Sequence, residues 1–77
     1  MREETTVEWE VINVGFGEQA LIGRFRKPER PPEVLVERLL YGIEPDSRKG
    51  REHIYALKKK MIKRHEKNSV IGWLYRL

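Results

Sequence analysis

Residues 47–67, SRKGREHIYALKKKMIKRHEK, form the longest stretch with a single hydrophobic period, and they decide the fold prediction. Apolar residues recur in this stretch at spacings of three and four, which places them on one side of an α-helix. Most of its lysines fall on the opposite side. We therefore predict one amphipathic helix with an apolar face toward the core and a cationic face toward solvent. The apolar members are Ile54, Leu57, Met61 and Ile62.

The cationic face of this predicted helix suits contacts with phosphates. On a helical wheel with Ile54 at zero, its lysines lie between about 140° and 240°, and they form a ridge about 12 Å long. Each phosphate that such a ridge neutralises releases counterions, which makes binding depend on salt. The alternative is a solvated lysine face with no ligand. The predicted contact set is Arg48, Lys49, Arg51, Lys59, Lys60, Lys63, Arg64 and Lys67.

The first turn of the same helix is basic, which is unfavourable for folding. Arg48, Lys49 and Arg51 lie where the helix dipole disfavours cations by about 0.3–1 kcal/mol each. The free N–H groups of a helix start bind anions, and arginine adds bidentate contacts. The sequence therefore favours an anion at this end, with Gly50 allowing a backbone to approach closely. In the alternative, neighbouring carboxylates offset the cations.

Two polar residues fall inside the apolar stripe. Lys58 is expected to cover apolar surface with its stem while its ammonium group stays in water. His65 is expected to be a partly buried histidine with hydrogen-bond partners. No metal site is predicted, because His53 and His65 are about 18 Å apart along the helix and cannot share an ion.

The N-terminal half predicts a β-hairpin. From Val7 to Val14 apolar and polar residues largely alternate, which indicates a half-buried strand. Residues 15–19 contain two glycines, which suit a reversal of the chain. Residues 20–26 provide the second strand. The six residues before the first strand are expected to fray.

Two further elements complete the predicted fold. Residues 33–41 are predicted to form a helix that ends at Gly42, and residues 69–77 to form a third strand in which Ile71, Trp73 and Tyr75 alternate with other residues. The expected order is ββααβ, an α+β fold with a three-stranded, mainly antiparallel sheet and both helices on one face. A winged-helix-like fold is the alternative. The predicted core is Trp9, Phe25, Leu35, Leu39, Ile54, Leu57, Met61 and Trp73.

Most aromatic residues are assigned to this core. On an exposed sheet face they would instead stack on bases, as in readers of single strands and RNA. Phe16 is the exception, because a loop-tip aromatic between two glycines has little to pack against locally. It is the candidate partner-binding residue.

Composition limits the class of protein. With 77 residues and no cysteine, the chain is expected to form one small domain without disulfides or thiolate metal sites. Residues 1–45 carry a net charge of −3 and residues 46–77 a net charge of +7. Such asymmetry favours an anionic partner. The sequence predicts no membrane span and no signal peptide, and hence a cytoplasmic protein.

The predicted function is a small basic regulator that binds DNA or RNA through phosphates. The alternative is a protein-interaction module, an inhibitor or subunit, that docks its basic helix on an acidic partner surface, with Phe16 and an exposed strand edge contributing. A homo-oligomer is compatible with either. No catalytic motif and no cofactor site is found, so no enzyme is predicted. A small basic nuclease that uses scattered Arg, Lys, His and Tyr side chains stays open.

Overall fold

The predicted hairpin is confirmed. A computed structural model describes the backbone of residues 5–75 and the side chains of residues 5–68. Strand β1 spans Thr6–Gly15 and strand β2 spans Glu18–Arg26, and they pair antiparallel. The turn is shorter than predicted, because Gly15 already pairs with Glu18. Thr6 belongs to the strand, so the predicted fraying was wrong at that residue; residues 1–4 lie outside the described part.

The predicted helix over residues 33–41 is wrong. Strand β3 spans Glu33–Arg38 and pairs antiparallel with β2, which gives a sheet in the order β1-β2-β3. Gly42 has a φ of +81° as expected, but it lies in a turn after the strand and not at the end of a helix. The segment alternates as a strand must. Leu35 and Leu39 lie on the core side, and Val34 and Val36 are half exposed on the other face.

The predicted third strand over residues 69–77 is also wrong. Helix α1 spans Arg48–Tyr75 and thus includes most of that segment, while residues 76–77 lie outside the described part. The observed order over residues 5–75 is β1-β2-β3-α1, so the α+β class is correct and the ββααβ order is not. A single helix in this range also argues against a winged-helix fold.

The start of α1 agrees with the prediction to within one residue. Ser47 is the N-cap: its Oγ accepts a hydrogen bond from the Gly50 N–H at 3.0 Å and donates one to the Glu44 carbonyl at 2.7 Å. The Ser47 carbonyl accepts the first helical bond, from the Arg51 N–H, at 2.9 Å. The cap therefore fixes both the start of the helix and the path of the preceding turn.

The core lies between one face of the sheet and α1, which packs against β2 and β3. Four of the predicted core residues are buried, and Trp9, Leu35 and Ile54 pack against them as partly buried residues. The prediction missed Leu21, which is 1% exposed. The side chain of Trp73 lies outside the described part. The buried core residues are Leu21, Phe25, Leu39, Leu57 and Met61.

Candidate nucleic-acid interface

Three lysines of α1 face away from the sheet. Lys59, Lys63 and Lys67 are exposed, as expected from the burial of Leu57, Met61 and His65 on the opposite side of the helix. Within residues 5–68, none of the three has a carboxylate within 4 Å. The ammonium group of Lys59 lies 4.6 Å from the centroid of the Tyr55 ring. This group of three is called the lysine ridge below.

Two other members of the predicted contact set are ion-paired within the chain. Glu37 points from β3 toward the helix, and its carboxylate accepts a hydrogen bond from the Arg64 guanidinium. The Lys60 ammonium lies 3.6 Å from the same carboxylate oxygen. The Glu37 side chain is only 17% exposed, whereas those of Lys60 and Arg64 are 62% and 41% exposed. The chain's own carboxylate therefore partly neutralises one flank of the predicted interface.

The first turn of α1 is less open to an anion than its sequence indicates. Two N–H groups, those of Gly50 and Arg51, are already bound to Ser47. Arg48 lies 3.7 Å from the Glu52 carboxylate, one helical turn on, although both side chains remain exposed. Lys49 and Arg51 are exposed. The cations at this end are therefore available, but the helix terminus itself is capped.

His65 and Lys58 occupy the apolar face of the helix in different ways. The His65 ring is 9% exposed, stacks on Phe25 at 4.4 Å between centroids, and places Nδ1 2.5 Å from a Glu33 carboxylate oxygen. Its Nε2 is buried and has no partner in the described part of the chain. Lys58 extends along the core as expected, and its ammonium group lies 5.4 Å from the centroid of a Trp9 ring. Both residues have structural contacts.

His53 is also structural in this arrangement. Its Nε2 accepts a hydrogen bond at 3.1 Å from the backbone N–H of Leu40, which follows β3. The bond joins the first turns of α1 to the segment that leaves the sheet. It therefore keeps the basic start of the helix at the end of the sheet where β1 turns into β2.

The turn between β1 and β2 carries a fully exposed aromatic side chain. Phe16 is 100% exposed, and Tyr41, from the segment after β3, is 77% exposed. The Tyr41 ring lies beside Gly17, with its hydroxyl 3.5 Å from the position that a Cβ would occupy there. The structure thus places two exposed aromatic residues, on neighbouring segments of the chain, at one end of the molecule. This pair is called the aromatic tip below.

Comparison with known proteins gives no match: no family model, no curated protein and no solved structure is significantly similar to the chain.

No helix in the described part of the chain is long and apolar enough to cross a membrane. Among the same residues, no group of three or more His, Cys, Asp or Glu side chains is arranged to hold a metal ion.

Sequence reasoning missed two features of this surface. Tyr41 was assigned to a helix, so its position beside the β1–β2 turn was not anticipated. Glu37 also falls in the segment predicted as a helix, and its direction toward α1 was not anticipated either. For Glu37 a sequence signal was present in β-strand propensity, though not in the alternation of apolar residues. The β-branched residues Val34 and Val36 favour a strand, and a strand turns Glu37 to the face of Leu35.

Proposed function

We propose that the protein binds nucleic acid through phosphates, with the lysine ridge of α1 as the central contact. The observation that carries the proposal is the exposure of Lys59, Lys63 and Lys67 without a carboxylate partner in residues 5–68. The three lysines are about one helical turn, or about 6 Å, apart along α1. They therefore form a row of positive charges that can face the row of negative charges of a phosphate backbone. Arg48, Lys49 and Arg51 extend the positive surface toward the start of the helix.

The ridge lacks the carboxylates that pair with the exposed arginines of the sheet. On the sheet face opposite α1, Arg24 lies 2.9 Å from Glu10, and Arg26 lies 3.3 Å from Glu8. Cross-strand pairs of this kind leave little net charge for an external anion. The difference between the two faces supports the helix, not the sheet, as the phosphate-binding side.

The proposal predicts a steep salt dependence of binding. Fluorescence anisotropy with labelled DNA and RNA, in single-stranded and duplex form, measures the association constant between about 50 and 200 mM salt. Three to five phosphate contacts give a slope of log K against log salt of about −3 to −4.5 on duplex DNA. Absence of binding to every one of these nucleic acids at the lowest salt concentration would contradict the proposal.

Glu37→Gln is expected to tighten this binding. The substitution releases Lys60 and Arg64 from the chain's own carboxylate and keeps the side-chain shape. One added phosphate contact raises affinity by up to about eightfold at 0.1 M salt, while the lost ion pairs lower stability by about 1 kcal/mol. Anisotropy and thermal unfolding measure the two effects.

Glu18→Gln is the matched control for this variant. It changes the net charge by the same amount and breaks the 3.4 Å pair with Arg38, an exposed residue of β3. Equal tightening by both variants would show that the gain comes from total charge, which argues against a local role for Lys60 and Arg64.

The competing proposal is an acidic protein surface as the partner of the same helix. Its support is the same set of exposed cations, so charge substitutions and salt titrations do not separate the two. A feature that recognises bases does separate them, because a protein surface offers none. Recognition of a base by the aromatic tip is the property that would separate the two proposals.

A further inference from the structure

Phe16 lies in a turn whose backbone conformation is unfavourable for phenylalanine. Phe16 has a φ of +54° and Gly17 a φ of +75°, and they are the two residues between the paired Gly15 and Glu18. Positive φ at both central positions is the requirement of a type I′ turn, which favours Asn-Gly because a residue with a larger Cβ substituent is strained there. Phenylalanine is therefore a poor choice for the fold.

No packing in the described part of the chain offsets this strain. The Phe16 side chain is 100% exposed, so it buries no apolar surface against residues 5–68. A large apolar side chain that is both strained in its backbone and fully in water is unexplained by folding. Strain of this kind is common at positions that contact a ligand.

Tyr41 lies beside Gly17, the residue that follows Phe16 in the turn. Its ring atom Cε2 lies 3.6 Å from the position of a Cβ at Gly17, so a side chain at residue 17 would contact the ring. Glycine leaves that ring 77% exposed beside the turn.

The aromatic tip lies at the basic end of α1. The hydrogen bond from the Leu40 N–H to His53 Nε2 ties the residue before Tyr41 to the first turns of the helix. Arg48, Lys49 and Arg51 precede His53 in those same turns, and all three are exposed. Aromatic rings and cations are thus presented at one end of the molecule. The lysine ridge begins at Lys59, about 9 Å along the helix from His53.

We infer that the aromatic tip stacks on an unpaired base, so that the ligand is a single-stranded nucleic acid or a single-stranded part of one. The inference rests on the proposed function and names its substrate class. An unpaired base exposes a flat face on which Phe16 can stack, and the phosphates of the same strand can then contact the cations of α1. A duplex hides those faces in its own base stack and meets only the cations.

The test compares two substitutions of Phe16 on matched single-stranded and duplex oligonucleotides, as DNA and as RNA. Phe16→Asn removes the ring and suits a positive φ, so the variant keeps the fold. It is expected to lower affinity for single strands about fivefold or more and to leave duplex affinity within about twofold. Phe16→Trp keeps a stacking surface and is expected to retain single-strand affinity. Fluorescence quenching on binding that exceeds that of the wild type, which contains Trp9 and Trp73, would report the stack.

Other results overturn the inference. If Phe16→Asn binds single strands as tightly as the wild type, with salt dependence intact, the tip does not stack on bases, while the proposed function stands. If it weakens single strands and duplex equally, the ring does not recognise an unpaired base. If the wild type binds none of the oligonucleotides at low salt, the proposed function fails and this inference fails with it.

Discussion

Replacing the lysine ridge with glutamine should remove most nucleic-acid binding without unfolding the protein. The variant is Lys59→Gln, Lys63→Gln and Lys67→Gln together. Each lost phosphate contact lowers the association constant about eightfold on duplex DNA at 0.1 M salt, so three contacts correspond to a loss of about 500-fold. The magnitude of the salt slope should fall by about 0.9 per contact on duplex DNA and about 0.7 on single strands.

The fold should survive, because all three side chains are exposed and none has a carboxylate partner in residues 5–68. The largest structural loss is the contact between Lys59 and the Tyr55 ring, worth about 0.5–1 kcal/mol at an exposed site. Circular dichroism and the midpoint of thermal unfolding check this point independently of binding.

The matched control neutralises three cations on the opposite face of the sheet. Arg24→Gln, Arg26→Gln and Arg38→Gln change the net charge by the same amount, at residues that are already paired with carboxylates. We expect this variant to bind nearly as tightly as the wild type. Equal losses in the two triple variants would show that only total charge matters and would contradict a localised interface.

The hairpin and the start of the helix were predictable because local rules decide both. Alternation of Val7, Trp9 and Val11 with glutamates indicates one buried strand face, and the glycines around Phe16 indicate the reversal. Ser47 precedes a run with clear helical period and can cap it. In each case the residues that specify the element lie within a few positions of one another.

Strand β3 was not predictable in this way because its core-facing side is half charged. Glu33 and Glu37 point toward the helix together with Leu35, which breaks the apolar alternation that marks a buried strand. Their partners, His65 and Arg64, lie about thirty residues later, so the sequence around the strand does not show what satisfies the carboxylates.

The error at the C-terminus has a different cause. Residues 69–75 alternate as a strand does, yet they continue α1. A short alternation of seven residues does not outweigh an uninterrupted helix that precedes it, since helix extension adds a backbone hydrogen bond per residue while a new strand needs a partner edge. The candidate site was predicted from the helix alone, so the errors in residues 33–41 and 69–77 did not affect the prediction that its lysines are exposed. The Glu37 carboxylate beside them was not predicted, because it comes from β3.

Gly50→Ala should destabilise the protein, although the same exchange normally stabilises a helix. Alanine is better than glycine in a helix interior by about 1 kcal/mol. Here a Cβ on residue 50 would lie 1.8 Å from the Glu44 carbonyl oxygen and 2.9 Å from Pro45 Cα, which are backbone atoms. The backbone that approaches Gly50 closely is thus the chain's own.

Relief of that clash requires the turn before α1 to move away from the helix. The movement would break the hydrogen bond that Ser47 Oγ donates to the Glu44 carbonyl and the one that it accepts from the Gly50 N–H, which together hold the cap. Overpacking costs about 1–3 kcal/mol, and loss of an N-cap about 1 kcal/mol more. A net destabilisation of about 2 kcal/mol is expected in denaturant unfolding.

Ala56→Gly supplies the reference value for helix propensity at an exposed position of the same helix. It should cost about 1 kcal/mol, and its reverse is the gain that Gly50→Ala would show if no atom stood in the way. A more stable Gly50→Ala variant would mean that the turn does not pack on the helix start. The first-turn cations would then flank an open helix terminus, and an anion bound there would again explain Arg48, Lys49 and Arg51. A less stable variant would mean that Gly50 is needed because the preceding turn packs closely on the helix start. Phosphate binding would then depend on the exposed side chains and not on the helix terminus.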